Sequence, residues 1–193
     1  MSHISKNRMC PIALLVIRNR ENLKHMNENR MITQICIVVQ DVRKVNSNWA
    51  KILGVPEEKI ETIFPDGILH YTNGSATEYK DCQVAKYQLD NFVLELLQPG
   101  PTPSPWRTFL EKNGQGVFHF CILVNDRKVF QQTLSDIGVG MPYHIGYFPG
   151  GSYSYVDSKE QLGLELSVNN QADYTDLIRG LLDGTATPMN ELK

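Results

Sequence analysis

The pattern of Val117-Phe-His-Phe-Cys-Ile-Leu-Val-Asn-Asp126 occurs twice in this chain, the earlier copy being Ile32-Thr-Gln-Ile-Cys-Ile-Val-Val-Gln-Asp41. Gln34 falls on His119, Cys36 on Cys121, Ile37 on Ile122 and Asp41 on Asp126. One residue out of step, Arg43-Lys-Val45 recurs as Arg127-Lys-Val129 and Leu53-Gly-Val55 as Ile137-Gly-Val139, while Leu94-Glu-Leu96 and Leu164-Glu-Leu166 close the two copies. Such self-similarity marks one supersecondary unit used twice. Each copy opens on a strand with a metal-capable side chain and closes on a strand with a Glu.

The elements follow from the pattern. Ile32 to Val39 is apolar on both faces, as a strand in the middle of a covered sheet is. Asp41 is placed to cap a helix over about Val42 to Leu53, with Val45, Trp49, Ile52 and Leu53 as its apolar stripe and Gly54 as its end. Ile60 to Phe64 is too short to assign. Ile68 to Tyr71, Gln83 to Leu89 and Phe92 to Leu97 read as strands, with Thr72-Asn-Gly74 as a turn and Asp90-Asn91 as a hairpin tip. Residues 31–98 thus form a βαβββ module.

Gln98 to Pro105 is a stiff connector, and Ser104-Pro105 starts a helix to about Lys112 on a Trp106, Phe109, Leu110 face, so 99–114 links the modules. Module two, 115–169, repeats the order: a strand over 117–124, a helix over Arg127 to Ile137 capped by Asp126, and strands near 142–147, 152–157 and 162–168. Asp173 to Leu182 reads as a helix within a C-terminal segment, 170–193, that ends in a polar tail. The expected class is α+β, with tandem βαβββ modules forming a curved mixed sheet.

The chain has 193 residues, 41% hydrophobic and 21% charged, with a net charge of −2. These are globular values, and the charge gives no reason to expect nucleic acid. Residues 1–30 hold Lys6, Arg8, Arg18, Arg20, Lys24 and Arg30 against Glu21 and Glu28. They read as a flexible basic arm, with an organelle-targeting segment as the alternative. No stretch is long enough to span a membrane. The four cysteines lack CxxC spacing and read as reduced thiols, so a cytoplasmic protein is expected.

Strand alternation puts Gln34 on the face of Cys36, and His119 on the face of Cys121. A pseudo-twofold relation between the copies makes Gln34 and His119 mates, and likewise Glu95 and Glu165, so that all four meet across one cavity. One imidazole nitrogen and three oxygens suit a borderline or hard divalent ion with positions left for water or substrate. Taken singly, a His or Gln in an apolar strand is more often a core group, and a Glu between leucines more often faces solvent. Two pairs in register weigh against that.

These segments carry a resemblance. Ile32-Thr-Gln-Ile-Cys-Ile-Val-Val, Leu94-Glu-Leu-Leu-Gln-Pro99, Phe109 to Phe120 and Gly163-Leu-Glu-Leu166 resemble the vicinal oxygen chelate superfamily, which includes glyoxalases, bleomycin-resistance proteins and methylmalonyl-CoA epimerases. The resemblance implies one divalent ion per site (Zn, Ni, Co or Mn) on Gln34, Glu95, His119 and Glu165. Gln, Glu, His, Glu in that order is similar to lactoylglutathione lyases, whereas the residues after Glu95 and the 106–120 segment are closer to the epimerases. The lyases' glutathione-contacting Asn is not apparent, nor is the epimerases' second acid within Gln83 to Leu89. Gln34 argues against extradiol dioxygenase chemistry.

The implied function is a metal-dependent lyase or isomerase that abstracts a proton next to a carbonyl. Glu165 serves as base and Glu95 as its partner, on an α-hydroxycarbonyl adduct or an acyl thioester. The alternatives are an epimerase or a metal-free, drug-sequestering binding protein of the same fold, and beyond these a regulatory module with a vestigial cavity. The resemblance also implies a homodimer.

Overall fold

The computed structural model describes residues 32–63, 68–189 and 192, so the basic arm read over 1–30 lies outside the described residues. Capping residues place the main helices where the sequence puts them. The Asp41 carboxylate accepts from the Lys44 N–H at 3.0 Å and opens α1 (Val42–Leu53). Ser104 accepts from the Arg107 N–H at 3.0 Å ahead of α2 (Pro105–Asn113), and Asp126 from the Val129 N–H at 2.9 Å ahead of α3 (Arg127–Asp136). Each side-chain oxygen satisfies an N–H that the first turn leaves without a partner. Gly54, at φ 69°, ends α1 in the left-handed conformation that glycine adopts freely.

The stripe of α1 differs from expectation at one position. Ile52 is 75% exposed, and the most buried residues of the helix are Val42, Asn46 and Ala50. Asn46 is accommodated because its amide donates to the Glu58 carbonyl at 2.8 Å and its Oδ1 accepts from the Tyr87 hydroxyl. A buried amide with both ends satisfied is tolerated where an unpaired one would not be.

The strands are β1 (Ile32–Val38), β2 (Glu61–Ile63), β3 (Leu69–Thr72), β4 (Ser75–Thr77), β5 (Cys82–Gln88), β6 (Val93–Gln98), β7 (Gly116–Val124), β8 (His144–Phe148), β9 (Gly151–Val156) and β10 (Glu165–Asn170). They form one mixed sheet in the order β2-β5-β6-β1-β7-β10-β9-β8-β3-β4. The α+β class and the tandem βαβββ layout hold, since β1-α1-β2-β5-β6 and β7-α3-β8-β9-β10 are laid out alike on either side of the central β1/β7 pair.

The strand read over Ile68 to Tyr71 is displaced from its expected place. It is β3, which leaves the first repeat and pairs with β8 at the far edge of the second, His70 lying opposite Gly146. Thr72-Asn73-Gly74 is its hairpin turn into β4, and Asn73 and Gly74 both have positive φ, the conformation a two-residue hairpin needs. The second strand of repeat one is instead the short β2. Two further helices complete the unit, α4 (Lys159–Leu162) and α5 (Thr175–Asp183).

The outer face of the sheet is covered in three places. Ala85, Tyr87, Leu94 and Leu96 pack under α1, while Val156, Leu166 and Val168 pack with Phe130 and Leu134 of α3. Tyr71, Ile145 and Tyr147 pack with Leu177, Ile178 and Leu181 of α5. The inner face gathers Cys36, Val84, Leu97, Phe118, Tyr153 and Tyr155 around Trp106 of α2, which is fully buried. The linker helix therefore sends its largest side chain into the hollow of the sheet.

Candidate functional site

The central strands carry two bulges that set the site. Between Cys36↔His119 and Ile37↔Val117, Phe118 is left over; between Ile32↔Ile122 and Gln34↔Cys121, Thr33 is left over. Exchanging Gln34 with His119 and Cys36 with Cys121 maps each bulge onto the other, so the repeat is a structural one about the β1/β7 axis. The extra residue re-aims its neighbours, and the Phe118 and His119 rings lie 5.2 Å apart, centroid to centroid.

Outside the central pair the symmetry is broken. Glu165 lies opposite His119, and Ser167 opposite Cys121. In the first repeat Val93 lies opposite Gln34, and Glu95 opposite Cys36. Under the pseudo-twofold, Glu95 is therefore the mate of Ser167 rather than of Glu165. The two Leu-Glu-Leu triplets are out of step by two residues. A slip of two keeps each Glu on the inner face, because strand side chains repeat every second residue, and so the sequence pattern does not reveal it.

Gln34, Glu95 and His119 line one cavity of about 410 Å³, together with Lys86, Trp106, Tyr153, Tyr155, Ser167 and Asn169. Glu165 lines the neighbouring one, of about 590 Å³, with Tyr143, Lys159 and Thr72. It stands on the strand beside His119 but is engaged elsewhere: the Tyr143 hydroxyl donates to Oε1, and Lys159 Nζ lies 3.3 Å from Oε2. Burial raises the Glu165 carboxyl above the ordinary range, and the Tyr143 hydrogen bond and Lys159 offset part of that rise.

His119 is 2% exposed, its Nδ1 has no hydrogen-bond partner, and burial pulls its imidazole down to about 3. It is therefore neutral at any physiological pH and offers a lone pair. Burial also pushes the Cys121 thiol up to about 12 and the Cys36 thiol well above its usual range, with Glu95 adding to the Cys36 shift. Both are inert core thiols. Of the aromatic residues near the Gly150 turn, Tyr153 and Tyr155 face the first cavity. His144 is fully buried behind them, its Nε2 3.3 Å from the Tyr153 hydroxyl and its Nδ1 3.0 Å from Thr72 Oγ1.

Lys86 is the cavity residue that the sequence reading passed over. The epimerases' second acid has no counterpart on Gln83 to Leu89. A base stands there instead, opposite Glu95 in register, its Nζ 3.2 Å from Glu95 Oε2. The signal was the alternation of Cys82, Val84 and Lys86 along the buried face of that strand.

Comparison with known proteins gives the family. A profile described as glyoxalase/bleomycin resistance protein/dioxygenase superfamily matches residues 33–153. The chain belongs to that superfamily. The match takes in Gln34, Glu95 and His119 and ends before Glu165. An uncharacterized protein of Bacillus subtilis (strain 168), YqjC, is 28% identical over 138 residues, 69% of this chain and 86% of that protein. Methylmalonyl-CoA epimerase from Mycobacterium tuberculosis superposes with a TM-score of 0.52 at 16% identity, covering 79% of this chain and 97% of that one. A single-residue variant of the Streptomyces coelicolor methylmalonyl-CoA epimerase, in complex with 2-nitronate-propionyl-CoA, gives 0.50 at 19%, covering 73% and 94%. At these identities the structures share the fold.

The superfamily implies a divalent ion, and three side chains here suit one. A neutral imidazole, a carboxylate and an amide oxygen face one cavity, and the buried imidazole carries a ring nitrogen without a partner. Glu165 stands outside that set. Among the described residues, no three His, Cys, Asp or Glu side chains are grouped around one point.

Proposed function

We propose that this superfamily member catalyses proton transfer at a carbon next to a carbonyl, with one divalent ion (Zn, Ni, Co or Mn) held by Gln34, Glu95 and His119. The observation that carries the reading is that those three donors share a largely apolar cavity walled by Trp106, Tyr153 and Tyr155. When bound, the ion supplies Lewis-acid stabilisation of the negative charge that builds on the carbonyl oxygen.

The chain's own groups do the rest. The aromatic walls exclude water and hold the substrate, an α-hydroxycarbonyl adduct or an acyl thioester, against the donors. Glu165 is the fourth group. Turned from Tyr143 toward His119 on the next strand, its carboxylate would complete the ligand set or take the carbon-bound proton, and burial raises its pKa in the direction that a base needs. On the opposite face Glu95 would relay a proton drawn from solvent, while Glu165 releases to solvent the one it took. A lactoylglutathione lyase-like isomerisation and a methylmalonyl-CoA epimerase-like inversion share these steps.

Incubating the metal-loaded protein in deuterated solvent with thiohemiacetals and acyl-CoA esters, and following deuterium at the carbon next to the carbonyl, tests the reading. Metal-dependent exchange in one compound class is the expected result. No exchange in either class favours the second reading, a metal-free small-molecule binding protein. That reading is supported by the lysines that already neutralise both carboxylates.

A further inference from the structure

We infer that Lys86 is a resident counter-cation for Glu95, and that a divalent ion enters the cavity only by displacing its ammonium. The inference rests on reading Gln34, Glu95 and His119 as the metal donors. Lys86 and Glu95 are register partners on adjacent antiparallel strands, and their charged ends are 3.2 Å apart with side chains 24% and 7% exposed. This is an inner-face pair rather than a rim pair. Its ammonium touches one of the oxygens that an ion would need.

The charges of the cavity lining balance without a metal. Lys59 has Glu61 at 3.2 Å, Lys86 has Glu95, and burial keeps His119 neutral. An incoming divalent ion therefore meets no uncompensated negative charge. Two cations on one carboxylate in a largely apolar pocket repel each other more strongly than they would in water. Lys86 has a long flexible stem and a partly exposed side chain, so its ammonium has a way out to solvent when an ion arrives. Lys159 on Glu165 is a looser arrangement, with its side chain 55% exposed.

The geometry thus sets a competition in which Lys86 lowers the cavity's affinity for divalent ions. Without the ammonium, Glu95 loses the cation that stands 3.2 Å from its Oε2, and that oxygen is open to an added cation. Lys86→Arg keeps the charge and Lys86→Met removes it at similar length.

Calorimetric titration of the metal-stripped full chain with Co²⁺ and Zn²⁺, read in parallel by Co²⁺ visible absorption, decides the matter. Lys86→Met is expected to bind one equivalent about tenfold or more tighter than the unmodified chain. Lys86→Arg is expected to show no gain, and His119→Ala to abolish binding in either background. Lys86→Gln serves as a second charge-removing variant if circular dichroism shows that Lys86→Met has not folded. Equal or weaker binding by the folded charge-removing variant overturns the inference and leaves the metal reading standing. No binding by any of the proteins overturns the metal reading, and the inference with it.

Discussion

Glu165 and His119 face each other across neighbouring strands and are expected to fail in different ways. Glu165→Gln keeps an oxygen donor and a hydrogen-bond acceptor for Tyr143 but cannot take a proton. The metal-loaded variant should exchange the substrate's carbon-bound proton more slowly by roughly two or more orders of magnitude. Unchanged exchange would move the base role to Glu95. His119→Ala should lose metal first, seen as reduced bound metal after dialysis, with activity falling only as a consequence. Gln34 and His119 are legible in the sequence as a repeated pair, and Glu95 as a Glu between leucines on a strand. The engagement of Glu165 with Tyr143 and Lys159 is not, since those partners come from the approach to β8 and from the short α4, which no periodicity marks.

At the scale of elements, the helix that the sequence places from Ser104-Pro105 to about Lys112 forms as α2. Its role as the filling of the inner face depends on where the connector places it, which the Gln98 to Pro105 composition does not encode. Trp106→Ala should cost about 3–5 kcal/mol in urea unfolding, the usual range for emptying a fully buried large aromatic site, and should open the cavity wall as well. A smaller change on β8 makes a related point. A Cβ at Gly146 would come within 2.3 Å of the Tyr153 ring, so Gly146→Ala should lower the melting temperature and displace Tyr153 from the cavity. The β3 strand was also visible as a strand. Its docking partner was not, because local alternation names the buried face of a strand and not the strand beside it.

At the scale of the molecule, pH acts through the buried imidazoles His70 and His144, the second of which also feels His119. Burial pulls His70 down to about 4 and His144 well below its ordinary value, nearby imidazoles adding to the His144 shift. Both are neutral in the fold above these values, whereas in the unfolded chain they take up protons below about pH 6.5. Stability from these groups should therefore be intact above about 6.5 and fall as pH drops toward 4. Urea midpoints in chelator at pH 7.5, 6.5 and 5.5 should decrease in that order, and less so in His70→Gln. A homodimer is the expected assembly, with the half-buried Ile35 and Phe120 at the centre of the outer face among the surfaces open to a partner. Light scattering that gives only the monomer mass at micromolar concentration would count against it.

The hairpin that crosses from the first repeat to the far edge of the second decides how such a protein comes apart. Two repeats joined only at β1 and β7 could fray separately, one half melting while the other persisted. With β3 hydrogen-bonded to β8, separating the halves tears a strand pair at the opposite end of the sheet. The molecule should accordingly melt in one cooperative step. A nascent or truncated chain ending near Asn113 would already carry β3 but not the strand it docks on. Until β8 has been made, that hairpin is an unpaired edge, and it is there that a chaperone, or another unfinished chain, would take hold.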